Sequence, residues 1–261
     1  MPSLKFLQRA TRIISRPVFY EPLLTRLIAF IGYHHTLMMI SIGAVVLSCV
    51  VLAGCSSRLP TVFVMGGRTA TNHSGSDTQQ SIEVRAGYFG VCSRSNGLQW
   101  VCGDEARRES IQAFNETDLV GLLHHFQSGV LFPGLLILSA VLTSVTMAGL
   151  ATFPGWHEET DRETGSMVDV KPLPSRKISA ICAACITLST LFSLTAATWQ
   201  HVAATSSASV VKHAFDKGWD TEVGSVAAGL VWASFFMNAI VMAGLIVIIY
   251  SINLLDRLTD E

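Results

Sequence analysis

Thr36–Gly54 reads TLMMISIGAVVLSCVVLAG, a stretch without one Asp, Glu, Lys or Arg. Crossing the hydrocarbon of a bilayer takes about 20 mostly apolar residues. Three further stretches meet that requirement. They are Gly129–Phe153, which closes against Pro154 and Gly155, then Ile178–Trp199, and a last one within Val223–Leu255 whose most apolar part is Val226–Ile249. None of them holds a charged residue. One buried helix of a soluble protein can be this apolar, but four with no charged face could not fold in water. The reading is therefore an all-α membrane fold. Transmembrane helices are expected at 36–54, 129–153, 178–199 and 223–252, with an N-terminal tail at 1–35, a long loop at 55–128, short loops at 154–177 and 200–222, and a C-tail at 253–261.

Composition agrees. The chain has 261 residues, of which 50% are hydrophobic and 14% charged. Soluble domains carry about 25% charged residues. Mean hydropathy is +0.45. The net charge of −1 provides no basic field for nucleic acid. A soluble enzyme, a disordered chain and a nucleic-acid binder are all disfavoured.

Orientation follows from the basic residues that flank the spans. Lys5, Arg9, Arg12, Arg16 and Arg26 precede the first. Arg162, Lys171, Arg176 and Lys177 lie between the second and third, and Arg257 follows the fourth. The loop between the third and fourth holds only Lys212 and Lys217, so ten face two. The long loop is discounted because loops beyond about 60 residues translocate whatever their charge. Both termini are then expected in the cytosol and the long loop outside. Two sequons, Asn72-His73-Ser74 and Asn115-Glu116-Thr117, fall in that loop, so N-glycosylation is expected at Asn72 and Asn115.

Two motifs are better read as packing. Leu52-Ala53-Gly54-Cys55 has a lipobox pattern, but it follows a long N-terminal tail and precedes three more spans. Cys182-Ala183-Ala184-Cys185 has thioredoxin spacing without the strand or cation that a reactive thiolate needs. Gly149, Ser179, Ala183, Gly224, Gly229 and Gly244 are candidates for close helix approach.

Metal and catalytic signals are weak. His34-His35 and His124-His125 are adjacent pairs, and neighbouring residues on a helix point in different directions. Acidic residues cluster at Asp104, Glu105, Glu109, Glu116 and Asp118, and again at Asp216, Asp220 and Glu222, with Arg107 and Arg108 interleaved. They read as solvated or locally paired faces, as does Glu158–Glu163. No metal ligand set, cofactor or catalytic residue is assigned, and no enzyme activity is expected. An ion path would want intramembrane carboxylates. The spans have none, and Asn238 reads as an interhelical hydrogen-bond residue.

The long loop carries the most specific pattern. Ser81–Ala86 alternates polar and apolar residues as a strand does, and Thr61–Met65 and Leu98–Val101 are further strand candidates. Ile111–His125 is expected to form a short amphipathic helix leading into the second span. Gly87-Tyr88-Phe89-Gly90-Val91-Cys92 follows the first of these strands, with turn residues before Cys102. An outside pair at this spacing should be oxidised, and closing so short a loop is worth about 3 kcal/mol. The glycines permit either close backbone approach or positive φ.

This G-aromatic-aromatic-G-x-C pattern with a second Cys, just after the first of four spans, resembles the claudin superfamily signature. More closely, the chain resembles the fungal calcium regulator and membrane-fusion family, the pheromone-induced component of low-affinity calcium uptake in mating. GYHH at 32–35, LAGCSS at 52–57, VRAGYFGVC at 84–92, WVC at 100–102, FPGLLIL at 132–138, ATFPGWHEE at 151–159, VKPLPSR at 170–176 and WQHVAA at 199–204 carry that resemblance. It covers about Gly32–Leu255. The resemblance implies a claudin-like plasma-membrane tetraspan with a small extracellular antiparallel β-sheet, placed at mating or fusion sites. It would support calcium influx and cell–cell fusion. Its signature positions carry over to Gly87, Tyr88, Phe89, Gly90, Cys92 and Cys102. The implied partners are the lipid bilayer and other membrane proteins, either calcium-influx machinery or further copies of the chain. A structural tetraspan that scaffolds a cortical domain or adhesion contact is the first alternative, and an autonomous cation channel the second.

The sequons and the charge bias together make one prediction. Glycosidase treatment of protein made in a fungal host should increase its gel mobility. A tag in the long loop that is reached only after permeabilising cells would contradict the orientation.

Overall fold

A computed structural model describes residues 33–71, 80–95, 98–103, 119–153, 157–160, 167–170, 175–214 and 219–259. Asn72 and Asn115 lie outside these residues, as do the acidic cluster at 104–118, Asp216 and residues 161–163 of the run at 158–163. Helix α1 spans Tyr33–Leu52. Strands β1 (Met65–Thr71), β2 (Gln80–Ala86), β3 (Val91–Ser95) and β4 (Val101–Cys102) follow. Next come α2 (Leu119–Gly129), α3 (Gly134–Ala151), the hairpin β5 (His157–Thr160) and β6 (Met167–Val170), α4 (Arg176–Ala214), β7 (Trp219–Val223) and α5 (Ser225–Thr259).

Four helices are long and apolar enough to cross a membrane, and they are α1, α3, α4 and α5. Their packing is inverted relative to a soluble bundle. On α1 the buried residues are His34, Leu37, Ser41, Ala44, Ser48 and Val51, a 3-4-3-4-3 stripe of mostly small side chains. Met39, Ile42 and Val46 stand exposed on the other side. On α3 the stripe is Leu136, Ser139, Thr143, Thr146 and Leu150, while Ile137, Leu138, Val141 and Val145 are exposed. Large side chains turned outward on every spanning helix need an apolar solvent, and small ones turned inward let backbones approach. The chain is a membrane protein.

Hydroxyl groups tie the bundle together. Ser48 and Ser234 hydroxyls are 2.9 Å apart, and Ser234 also donates to the Ala44 carbonyl of α1. Ser139 and Ser189 join α3 to α4 at 2.9 Å. Thr143 lies 2.7 Å from Ser189 and donates to Asn238 Oδ1 of α5 at 3.1 Å. Asn238 is thus an interhelical acceptor, as expected. Cys182 packs on Gly149, where a Cβ would overlap its sulfur. Gly229 departs from expectation, because a Cβ there would meet nothing within 4 Å.

The sheet has the order β4-β3-β2-β1-β7, and all its pairings are antiparallel. Several elements differ from their expected extents. Of the helix expected at 111–125, residues 111–118 lie outside the described residues and α2 runs on to Gly129, while α5 runs past residue 252 to Thr259. Thr61–Met65 is not a strand. Val62, Phe63 and Val64 form a buried turn, and pairing starts at Met65. Of the stretch 98–101 only Val101 enters the sheet. The helix that carries the third apolar run does not end with that run at Trp199, and α4 continues to Ala214. Gln200–Ser207 ends the apolar run but not the helix, because residues 176–214 contain neither Gly nor Pro. The loop that follows contributes β7, which pairs from Met65↔Val223 to Thr69↔Trp219 and closes the sheet edge. At the opposite end of the bundle, β5 and β6 form an unanticipated hairpin.

The glycine contrast is testable. A Cβ on Gly224 would overlap the Phe63 carbonyl, so Gly224→Ala should cost about 1–3 kcal/mol by overpacking. Gly229→Ala meets open space and should be neutral or stabilising by up to about 1 kcal/mol. Thermal unfolding of both variants in detergent checks the ranking.

Candidate functional site

The sheet-side end of α1 leaves the helix through a tight turn. Cys55 has φ of 54°, the only non-glycine residue with positive φ among those described. Its N–H donates to the Val62 carbonyl at 2.7 Å, folding residues 55–62 into a knot. A Cβ on Gly54 would come within 2.5 Å of that same carbonyl. The knot becomes an anchor for three other parts of the chain. The Val64 N–H donates to the Ala86 carbonyl at the end of β2. The Gly224 N–H donates to Val64 at the start of α5. The Cys55 thiol donates to the Arg85 carbonyl at 3.0 Å.

The Gly87–Gly90 motif clasps this knot. The Gly87 N–H donates to the Gly90 carbonyl at 2.8 Å, closing the β2–β3 turn. A Cβ on Gly90 would overlap the Cys55 carbonyl oxygen, and one on Gly87 would lie 2.7 Å from the Cys55 Cβ. Of the two roles open to these glycines, close approach is the one the turn uses. Tyr88 is buried, and its hydroxyl donates to Gln200 Oε1 on α4 at 3.0 Å. Gln127 of α2 donates to the Tyr88 carbonyl at 3.3 Å. Burial raises the Tyr88 pKa, which keeps this hydroxyl a donor. Phe89 alone turns outward, at 62% exposure. Three residues on, Cys92 faces Cys102 across the β3–β4 pair, and they form a disulfide.

A charged stack braces the other side of the turn. Arg85 donates to the Pro60 carbonyl at 2.9 Å and pairs with Glu83, which also takes Arg94 at 2.6 Å. The Arg85 guanidinium lies 4.5 Å from the Phe63 ring centroid and 4.4 Å from that of Trp100, and the Arg94 guanidinium lies 4.7 Å from the Trp100 centroid. Pairing both arginines with one carboxylate and two rings stabilises a half-buried charge cluster. Gln200, Phe63 and the Arg85 stack are not legible in the sequence: Tyr88 meets Gln200 across 112 residues, Phe63 and Pro60 lie more than 20 residues from Arg85, and the nearer pairs with Glu83 and Trp100 carry no motif. The alternation in Trp219–Val223, WDTEV, was a signal for β7.

The arrangement is an assembly of contacts rather than a reaction centre. Among the described residues no group of three or more His, Cys, Asp or Glu converges to hold a metal. His34 and His35, on adjacent positions, hold their ring centroids 4.0 Å apart with the planes tilted by 42°.

Burial pushes the Cys55 thiol up from an ordinary 9.0 to about 11. An unfolded chain loses that proton near pH 9 while the folded one keeps it. The resulting stability is therefore complete below pH 9 and lost as pH rises toward 11. Native protein at pH 8 should leave Cys55 unmodified by maleimide, and denaturant should expose it. Rapid native labelling at pH 8 would contradict this burial.

A family model described as Ca2+ regulator and membrane fusion protein Fig1 matches residues 69–251. No curated protein matches the sequence.

Proposed function

From the chain's membership of the Fig1 family of Ca2+ regulators and membrane fusion proteins, we propose that it regulates low-affinity calcium influx and membrane fusion during fungal mating. The observation that carries this reading is the match over residues 69–251, which takes in the sheet from Thr69 onward, the Gly87–Gly90 turn of the clasp, α3, α4 and most of α5. The protein is read as a plasma-membrane tetraspan of claudin-like build, with both termini cytosolic and the sheet outside, glycosylated on the loop that bears the sequons. It has no enzymatic role. It acts with other membrane proteins, through the surface that the clasp holds in place.

The bundle interior favours a regulator over an autonomous channel. Asp, Glu, Lys and Arg are missing from all four apolar stretches. Ser139, Thr143, Ser189 and Asn238 bond to one another rather than to a continuous lumen. A scaffold or adhesion role has one observation in its favour, the outward Phe89 on the sheet end.

Two substitutions separate these readings. Gly90→Val would overlap the Cys55 carbonyl and displace the sheet from α1. Asn238→Ala removes an interhelical bond of a kind that averages about 0.6 kcal/mol in membranes. In a pheromone-treated deletion strain rescued at matched surface levels, Gly90→Val should abolish most calcium uptake and fusion. Asn238→Ala should leave both largely intact. The reverse ranking would assign the ion path to the bundle, and normal uptake with failed adhesion would favour the scaffold.

A further inference from the structure

Helix α4 is too long for the bilayer alone. Its 39 residues extend about 58 Å at 1.5 Å per residue, against about 30 Å of hydrocarbon. Arg176 and Lys177 mark one end of the apolar run and Trp199 the other. Trp199 is half exposed, and its indole N–H donates to the Val130 carbonyl at 2.9 Å, the interfacial position that Trp favours. Roughly the last 15 residues of α4 therefore stand above the membrane on the sheet side.

The lipid-facing stripe does not stop at Trp199. Val202, Ser206 and Val210 follow at helical spacing on the same face. Val202 is 60% exposed and Val210 is 65% exposed. That stripe leads into a cavity of about 290 Å³ between β1, β7, α2 and the outer stretch of α4. Met65, Leu123, Phe126, Val130, Val210 and Val211 supply its apolar walls. Two of its hydroxyls are turned back on the helix. Ser206 donates to the Ala203 carbonyl and Thr221 to that of Ala208. They leave carbon, not donors, toward the space. Among the described residues of the lining, His125 is the one titratable side chain. Water would find few partners here, whereas an apolar occupant matches the walls.

We infer that this cavity takes one hydrocarbon chain of a lipid from the sheet-side leaflet, led upward along the Trp199–Val202–Val210 stripe. Continuity with the bilayer selects a lipid over other apolar occupants. Val130 lies at the level of the interfacial Trp199, and among the described residues the wall rises from there without Asp, Glu, Lys or Arg. Val211 stands about 18 Å above Trp199 along the helix, so a chain that reaches it has left the hydrocarbon layer. This assignment does not depend on the calcium reading.

Photolabelling tests it directly. The full chain is reconstituted in phosphatidylcholine vesicles doped with a phosphatidylcholine that carries a diazirine at one acyl terminus. After illumination, adducts are mapped by mass spectrometry. In ordinary lipid the diazirine sits near the bilayer centre, so Leu188 on the exposed face of α4 serves as the positive control. Adducts on Leu123 and Val211 in addition to Leu188 are expected. Ser207→Phe, which places a ring in the cavity wall, should abolish the Leu123 and Val211 adducts and spare those on Leu188. Val202→Asp, on an exposed surface, should reduce them by interrupting the stripe. Labelling of Leu188 without Leu123 or Val211 would overturn the inference and leave the cavity to a protein segment. Cavity adducts that persist unchanged in both variants would overturn it equally.

Discussion

Backbone pressed on backbone at the sheet-side end of α1 is the constraint on which the remaining architecture depends. The knot at residues 54–64 receives the β2–β3 turn, the end of β2 and the start of α5 within a few ångströms. Side chains would hold these segments apart. Gly54, Gly87, Gly90 and Gly224 converge here because a Cβ at any of them would strike main-chain atoms. The one residue with a side chain at the centre, Cys55, accepts a left-handed conformation and buries its thiol against β2. An unbranched polarizable sulfur tolerates such a site, and a hydrogen bond to the Arg85 carbonyl satisfies it. Through this knot the sheet is fastened to the membrane bundle rather than merely tethered to it.

A second constraint acts inside the bundle. With lipid outside, burial of apolar surface cannot select one helix arrangement over another. Small residues and hydroxyl pairs do so instead, and each pair is weak. The Thr143–Ser189–Asn238 contacts connect three helices at one depth, and Ser48–Ser234 connects α1 to α5. A bundle held this way tolerates loss of a single amide better than it tolerates loss of its anchored end. Tyr88 reinforces the anchor from the sheet side, reaching α4 through Gln200.

Four apolar helices were legible from residue types alone, since charge-free runs of bilayer length have few other uses. β2 was legible from its alternation, and the Cys92–Cys102 pairing from spacing and compartment. The clasp was half legible. Gly87 and Gly90 announced a steric or conformational need, but which need, and against which atoms, depended on a turn some 30 residues earlier. The length of α4 is not legible in its polarity, because Ser and Thr end an apolar run without ending a helix, whereas Gly or Pro ends helices more reliably. β7 was missed for a different reason. Its partner β1 lies about 150 residues away, and a five-residue alternation is faint without that partner in view. Gly229 shows the converse, a small residue in a membrane helix with no neighbour that requires it.

Hydrogen–deuterium exchange of the Gly90→Ala variant in detergent, against the unaltered chain, reads the anchoring most directly. One methyl group at Gly90 meets the Cys55 carbonyl, so the knot cannot keep its geometry. Exchange should accelerate together in peptides that cover residues 54–64, 84–92 and 219–224, while those from 136–150 keep their protection. Acceleration confined to the peptide that contains residue 90, with the α1 exit and the start of α5 as protected as before, would contradict the claim that the glycine clasp joins the sheet to the bundle.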